Sequence, residues 1–441
     1  MKFYRFIAVI VFAVAAIAYP SFAQDKAEIL SLGLGDVLKM AVQRDARIIM
    51  AEERVAQSVA RLGQSRSVFL PQLTASASQK RQTSDLRSVG ISLGGNPKIG
   101  PYNSFDARIK LTQTIFDAAA IKRLQAAGEN RQLSLAEQRK TREDVLALVA
   151  VLFIDAQRAE ERVEPLKLCL KRDEKLLSIA EKRFSLGTAS ALELKQAKAD
   201  YFLSRHNLTA AHREQNERKL DLLAALGIPF EQSVVLVKAE SLPEIFLPPE
   251  EKDFDVSRHP DVEVAQKQLD QNKKISSAER ADFLPKISGI ADYGSNGENP
   301  DNSSNVYMLG VQATLPIFEG GNRISRIREA DSRVKENQAN VESVKRYARA
   351  GTIVTREKIE EARALVEQRQ AEWEVLRQAL DVAANRFQSG LGSETDVIEA
   401  ETDLALAADQ RDEALAFYLT AQINRVHALG QISVLSEQFR K

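Results

Sequence analysis

The residues of this chain best spaced to do chemistry are carboxylates, and the chemistry they suggest is electrostatic rather than covalent. Asp396 and Glu399 stand three residues apart at a predicted helix start, so their side chains share one face. Glu193 opens a second helix in the same manner. Carboxylates gathered on one face concentrate negative charge, which attracts cations and repels anions. A second reading competes for two of the three. Ser393-x-x-Asp396 and Ser190-x-x-Glu193 are capping-box patterns, which commit a carboxylate to backbone N–H groups at a helix start. Both readings stay open for Asp396 and Glu193, whereas Glu399 lies beyond the first turn and capping does not account for it.

No other constellation points to a reaction. His206, His212, His259 and His427 show no metal-ligand spacing, so no metal is expected; His206 and His212, six apart and off-face on a helix, read as solvated surface. Gly33-Leu34-Gly35 lacks the third glycine and the preceding strand of a nucleotide loop. No nucleophile sits near a base in any recognisable pattern, so neither enzyme activity nor a cofactor is expected. The only cysteine, Cys169, excludes an internal disulfide and an acylated N-terminal cysteine.

The elements that must position those carboxylates are written twice. Phe69-Leu70-Pro71-Gln72-Leu73 returns as Phe283-Leu284-Pro285-Lys286-Ile287, an offset of 214 residues. Arg183-Phe184 with Gly187 returns as Arg386-Phe387 with Gly390, and Leu226-Gly227 as Leu429-Gly430, both at an offset of 203. The second half is a structural copy of the first, with the missing residues expected in a loop between two strands. Each half reads as helix, strand pair, very long helix, glycine turn and last helix. Helices are predicted near 33–67, 118–184, 190–226, 255–282, 321–387 and 394–429, and strands near 72–79, 105–115, 287–294 and 306–315.

The strands alternate. Phe105, Ala107, Ile109 and Leu111 face one way, with Asp106, Arg108, Lys110 and Thr112 opposite; Tyr307, Leu309, Val311, Ala313 and Leu315 repeat the pattern. Strands of about 10 residues with an apolar and a polar face suit a barrel that meets lipid outside and water inside. The joining stretches, Lys80–Ser104 and Gly294–Asn305, are rich in Gly, Asn, Ser and Pro and read as exposed loops. The two long helical patterns each run past 60 residues, roughly 100 Å of rod, which no globular core of this size could bury. Leu170, Leu177 and Phe184 match Trp373, Leu380 and Phe387 at seven-residue spacing, as side-by-side helices require. Asp173 breaks the match where the other half has Leu376, and Pro165 predicts a kink.

The first residues read as an export signal: Lys2 and Arg5, an apolar run from Phe6 to Tyr19, then Ser21-Phe22-Ala23. That run is too short to span a membrane, which takes about 20 apolar residues. Without the signal the chain carries 59 basic and 61 acidic residues, a balance that argues against a nucleic-acid partner. Gly227 to Phe254, with Pro229, Pro243, Pro248 and Pro249 around a β-like run at Ser233–Lys238, reads as a connector.

The signal, the doubled strand pairs, the Phe-Leu-Pro strand starts, the Leu315-Pro316-Ile317-Phe318-Glu319-Gly320-Gly321 exit with its first-half counterpart Thr114-Ile115-Phe116-Asp117, and the two Arg-Phe…Gly turns resemble the TolC family of outer-membrane efflux proteins. The resemblance implies a mainly α fold with a β-barrel: a homotrimer in which each chain gives four strands to one 12-stranded transmembrane barrel and its helices to a periplasmic coiled-coil tunnel. The expected domains are a signal peptide at 1–23, a first repeat at 24–227, a connector at 228–254, a second repeat at 255–430 and a tail at 431–441. It further implies a passive exit duct in the outer membrane of a Gram-negative bacterium. The implied partners are outer-membrane lipid, a periplasmic adaptor, and an inner-membrane pump or ABC transporter of an efflux or type I secretion system. A periplasmic adaptor or a coiled-coil scaffold of the envelope is the alternative.

Transferred onto this chain, the family's constricted entrance falls on the two glycine turns. Asp396 and Glu399 fall on its acidic pair, and three copies would stack two rings of negative charge whose members raise one another's pKa. Glu193 matches an acidic residue that ties the closed entrance. Phe387 stands where the family has a gating tyrosine and Gly392 where some members carry an arginine, so closure here is expected to rest on packing of Phe184 and Phe387. Arg183, Gly187, Arg386 and Gly390, in the tip turns, are expected to contact the adaptor.

Overall fold

The computed structural model describes residues 30–85, 87, 90, 98–238 and 255–434. The expected signal peptide, the middle of the Lys80–Ser104 loop, the connector beyond Lys238 with Pro243, Pro248 and Pro249, and the end of the tail lie outside the described residues.

A short strand β1 (Leu30–Leu32) leads into α1 (Leu34–Arg44) and α2 (Ala46–Ser67), then β2 (Gln72–Asp85), β3 (Lys98–Phe116), α3 (Ala118–Glu161), α4 (Val163–Ser185), α5 (Ala191–Leu226) and β4 (Val234–Leu236). The second half supplies α6 (Pro260–Ala281), β5 (Lys286–Asn299), β6 (Asn302–Thr314), α7 (Asn322–Gln388) and α8 (Glu394–Ala428). Among the described residues, no helix is long and apolar enough to cross a membrane.

Two of the predicted helices are divided. The stretch near 33–67 breaks at Asp45, whose extended backbone (φ −64°, ψ 124°) ends α1 while its side chain accepts the Arg47 N–H at 2.8 Å and starts α2. The first long helix breaks at Arg162 rather than at Pro165. Pro165 has no N–H for the Glu161 carbonyl and its ring crowds that carbonyl, so the damage falls one turn before the proline. Lacking such a residue, α7 runs unbroken for 67 residues, roughly 100 Å.

The strands form one antiparallel sheet in the order β2-β3-β5-β6. Its registers place Ala75, Ile109, Tyr293 and Tyr307 in one row, and Ser76, Arg108, Gly294 and Val306 in the next, so alternation along each strand becomes two distinct faces. Tyr307, Leu309 and Val311 on the apolar face are 82 %, 81 % and 73 % exposed. Asp292 on the other face is buried, held by Arg108, which also pairs with Asp106. The strands are longer than predicted. Most of Gly294–Asn305 is not loop: β5 and β6 continue until Asn299 pairs with Asn302. Glycine permits this, because a Cβ on Gly294 would lie 2.2 Å from the Ala107 carbonyl and one on Gly297 2.2 Å from that of Asn302.

The main core lies midway along the helices and draws on both repeats. Val145, Leu146, Val149 and Phe153 of α3 meet Leu222, Leu223 and Leu226 of α5, Leu419, Ile423 and Val426 of α8, and Val37 and Leu38 of α1, all under the small parallel sheet β1-β4. The buried Glu143 carboxylate closes it by accepting the N–H groups of Ile432 at 2.6 Å and Ser433 at 3.1 Å. Towards the sheet the helices pack in the order α2-α3-α6-α7, and away from it in the order α5-α4-α8-α7. Large apolar residues remain uncovered on the outermost helices, among them Phe202 and Leu203 on α5 and Val375 and Val382 on α7.

Candidate functional site

The two glycine turns lie at the end of the helices furthest from the sheet, and they are built alike. Gly187 and Gly390 both have φ +73°, a left-handed conformation that side chains disfavour. In the first turn the Gly187 N–H reaches the Phe184 carbonyl at 3.0 Å and the Thr188 N–H the Arg183 carbonyl at 2.9 Å; in the second, Gly390 reaches Phe387 at 3.0 Å and Leu391 reaches Arg386 at 2.8 Å. These paired bonds satisfy the last carbonyls of α4 and α7. Arg183 also donates to the Thr188 carbonyl at 3.4 Å. The repeated Arg-Phe…Gly pattern is therefore a helix-ending device in both halves.

Each turn feeds a capped helix. Ser393 and Asp396 exchange bonds: the Ser393 hydroxyl accepts the Asp396 N–H at 3.1 Å, and the Asp396 carboxylate accepts the Ser393 N–H at 2.9 Å. That backbone bond holds the Asp396 carboxyl below its ordinary pKa, with a smaller contribution from the Arg386 cation. Within one chain Asp396 is thus shifted opposite to the rise expected from a ring of like charges. Glu193 makes half the box: its N–H donates to the Ser190 hydroxyl at 3.1 Å, and that hydroxyl donates to the Glu193 carboxylate at 3.3 Å. Glu399 takes no part in capping, and all three carboxylates are exposed.

Phe184 and Phe387 are 44 % and 46 % exposed, and their rings do not pair within the chain. Phe387 borders a groove of about 310 Å³ between α4, α7 and α8, lined also by Leu168, Lys171, Lys175, Ile398 and Thr402. Gly392 fits closely under this corner: a Cβ there would lie 3.1 Å from the Phe387 nitrogen, so a side chain at that position requires the turn to give by a few tenths of an ångström.

Sequence reasoning missed the contacts that hold these helices in register. Lys175 on α4 pairs with Glu394 on α8, and Lys198 on α5 lies 3.8 Å from Glu181 on α4. Asp173 is buried, takes the Ser204 hydroxyl of α5 and the Arg172 Nε at 2.8 Å, and so belongs to the seam it was expected to disturb. Its mismatch with Leu376 was the one available signal. His206 and His212 are exposed, whereas His259 is buried and His427 reaches the Asp144 carboxylate at 2.8 Å. No group of side chains among the described residues could hold a metal ion.

Comparison with known proteins places these features in context. The family model described as "Outer membrane efflux protein" matches residues 37–228 and 256–431. The alkaline protease secretion protein AprF of Pseudomonas aeruginosa is 22 % identical over 411 residues, covering 89 % of this chain and 83 % of that protein. The pyoverdine export outer membrane protein OpmQ of the same organism is 25 % identical over 410 residues, covering 90 % and 85 %. Among solved structures, the Campylobacter jejuni CmeC outer membrane channel superposes with a TM-score of 0.77 at 19 % identity, covering 92 % of this chain and 89 % of that one. Vibrio cholerae VceC gives 0.73 at 19 %, covering 90 % and 96 %.

Proposed function

The chain belongs to the outer membrane efflux protein family, and on that premise we propose that it is the outer-membrane exit duct of a tripartite efflux or type I secretion system. It conducts passively, fed by an inner-membrane pump or ABC transporter through a periplasmic adaptor that meets the tip turns. The relatives are named for protease secretion and pyoverdine export, and the common element is the duct rather than the cargo. The division into repeats at 24–227 and 255–430 around a connector belongs to the same reading, supported by the two separate stretches that match the family model.

The observation that carries this is that the four-stranded sheet and both helical layers end in edges contributed by opposite repeats. The sheet ends in β2 and β6, the helices nearest it in α2 and α7, and those at the tip in α5 and α7. Hydrocarbon does not tolerate open strand edges, and single-chain barrels begin at about eight strands, so four strands close only with other copies. Identical chains joined by unlike edges make a ring when the rotation between neighbours closes. Two copies satisfy the strand minimum; the family resemblance favours three. The polar face with Arg108 then lines the lumen and the face with Tyr307 and Leu309 meets lipid. At the far end Asp396 and Glu399 would form acidic rings, with Glu193 and the half-exposed Phe184 and Phe387 packing across chain boundaries.

Envelope fractionation followed by mass measurement of the detergent-solubilised particle tests the reading. A trimer in the outer-membrane fraction is expected. Recovery as a detergent-independent periplasmic protein would sink the duct and leave the adaptor or scaffold.

A further inference from the structure

Asp45 and His259 occupy the same place in the two repeats, 214 residues apart, the offset that also separates Phe69 from Phe283. Each is buried, and each caps the helix that leads to the sheet. The Asp45 carboxylate accepts the Arg47 N–H at 2.8 Å, and His259 Nδ1 accepts the Asp261 N–H at 3.2 Å. Each cap also lies beside the left-handed glycine that ends the last helix of its repeat. Gly227 has φ +61° and approaches Arg44; Gly430 has φ +66°, and a Cβ there would lie 2.3 Å from Pro260. The two joints share one design and differ in the acceptor atom.

An imidazole accepts an N–H only while that ring nitrogen keeps its lone pair. Protonation turns His259 Nδ1 into a donor facing another donor, and places a cation at the positive end of the α6 dipole. The charged groups around it come from each packed element. Asp261, on its own helix, lies 3.7 Å away but is engaged by Lys140 of α3 at 2.5 Å. Asp144 of α3 is engaged by His427 of α8 at 2.8 Å, and α7 brings the Tyr347 phenol to the same cavity. Both nearby carboxylates are thus committed to other cations, and burial, helped by the repulsion of His427 and Lys140, outweighs them and keeps His259 below the ordinary imidazole range.

We propose that His259 makes the joint between α8 and α6 proton-sensitive: mild acid uncaps α6 in the second repeat while Asp45 keeps α2 capped in the first. The sign follows from the lowered folded-state value. Stabilisation by a neutral His259 is complete above pH 6.5 and is lost as pH falls below it. Asp45, itself held below the ordinary carboxylate value of 3.8 against the opposing effect of burial, stays ionised throughout that window.

Hydrogen–deuterium exchange on the full chain in detergent, corrected for intrinsic rates between pH 8 and pH 5, tests this with an internal control. Peptides covering 258–266 are expected to lose protection about five- to tenfold relative to peptides covering 44–52, the size of a lost cap. His259→Asn, a neutral cap that does not titrate, should abolish the difference. A protection ratio between the two joints that stays flat with pH in the wild type would overturn the proposal, as would a His259→Asn variant that keeps the wild-type pH response.

Discussion

Asp173 and Ser204 are hydrogen-bonded in the buried seam between α4 and α5, at a position where the second repeat carries Leu376. Arg172 neutralises the carboxylate from the α4 side at 2.8 Å. Asp173→Ala leaves a buried hydroxyl and a guanidinium without their acceptor, and should cost about 1–3 kcal/mol in chemical denaturation. Asp173→Leu combined with Ser204→Ala removes the buried pair and restores an apolar seam like that of the other repeat, leaving the quarter-exposed Arg172 to turn to solvent. The double variant should fall within about 1 kcal/mol of the wild type; a double variant as unstable as Asp173→Ala would show that the seam needs the polar pair.

The turns make a separate prediction. Gly390→Ala puts a side chain at φ +73° and should destabilise the second turn by about 1 kcal/mol. Open space surrounds that position, so limited proteolysis should rise at the turn without a change in the sheet. Gly392→Arg should disturb the same turn through the 3.1 Å approach to Phe387; unchanged protease sensitivity in both variants would refute this account of the corner.

At the start of α8, Asp396 and Glu399 should separate by function. Asp396 is engaged with the Ser393 N–H at 2.9 Å, whereas Glu399 has no capping role. Glu399→Gln should reduce cation preference in planar-bilayer reversal potentials about as much as removing one ring of charge allows, with thermal stability unchanged. Asp396→Asn keeps a capping side chain and should fold normally, whereas Asp396→Ala should loosen the start of α8. The cap's contribution is present above pH 3.8 and disappears as pH falls through the lowered folded-state value. An identical selectivity in wild type and Glu399→Gln would remove that residue from the pore.

His427 titrates in the opposite sense to His259. Its bond to Asp144 raises its pKa above 6.5, so its stabilisation is full below pH 6.5 and is lost as pH rises through the elevated folded-state value. Both partners are more than a third exposed, which limits the effect to about 0.5 kcal/mol. Melting curves of His427→Gln against wild type should converge at alkaline pH and diverge near pH 6. A constant gap across the range would mean that the ring contributes by packing alone.

Much of the fold is legible because repetition and periodicity are local properties. The Phe-Leu-Pro starts, the alternation from Phe105 to Thr112 and the glycines at 187 and 390 each declare backbone geometry directly. The break at Asp45 was also written, since an Asx residue before a new helix is a capping signal. What the sequence hid was whatever depends on register between helices. Asp173 with Ser204, Lys175 with Glu394, and His427 with Asp144 are each far apart in the chain, and no spacing rule joins them. The ends of β5 and β6 were underestimated because Gly294 and Gly297, read as loop residues, stand where a Cβ would collide with the neighbouring strand. The pore role proposed for Asp396 and Glu399 would depend on copies beyond the single chain, whereas the capping bond of Asp396 does not.

The unlike edges of the sheet, β2 from the first repeat and β6 from the second, carry a genetic consequence. In a ring closed this way each copy is both donor and recipient, so one spoiled edge opens a seam that no other copy can mend. A proline in the middle of β6, at a position whose N–H faces the neighbour, would remove that donor and still leave β2 able to join a healthy copy. Co-expressed with an equal amount of wild type, such a chain would leave only about one assembly in eight free of it, taking three copies drawn at random to a ring. The lesion would behave as dominant, poisoning export in a cell that still makes half its normal supply of intact protein.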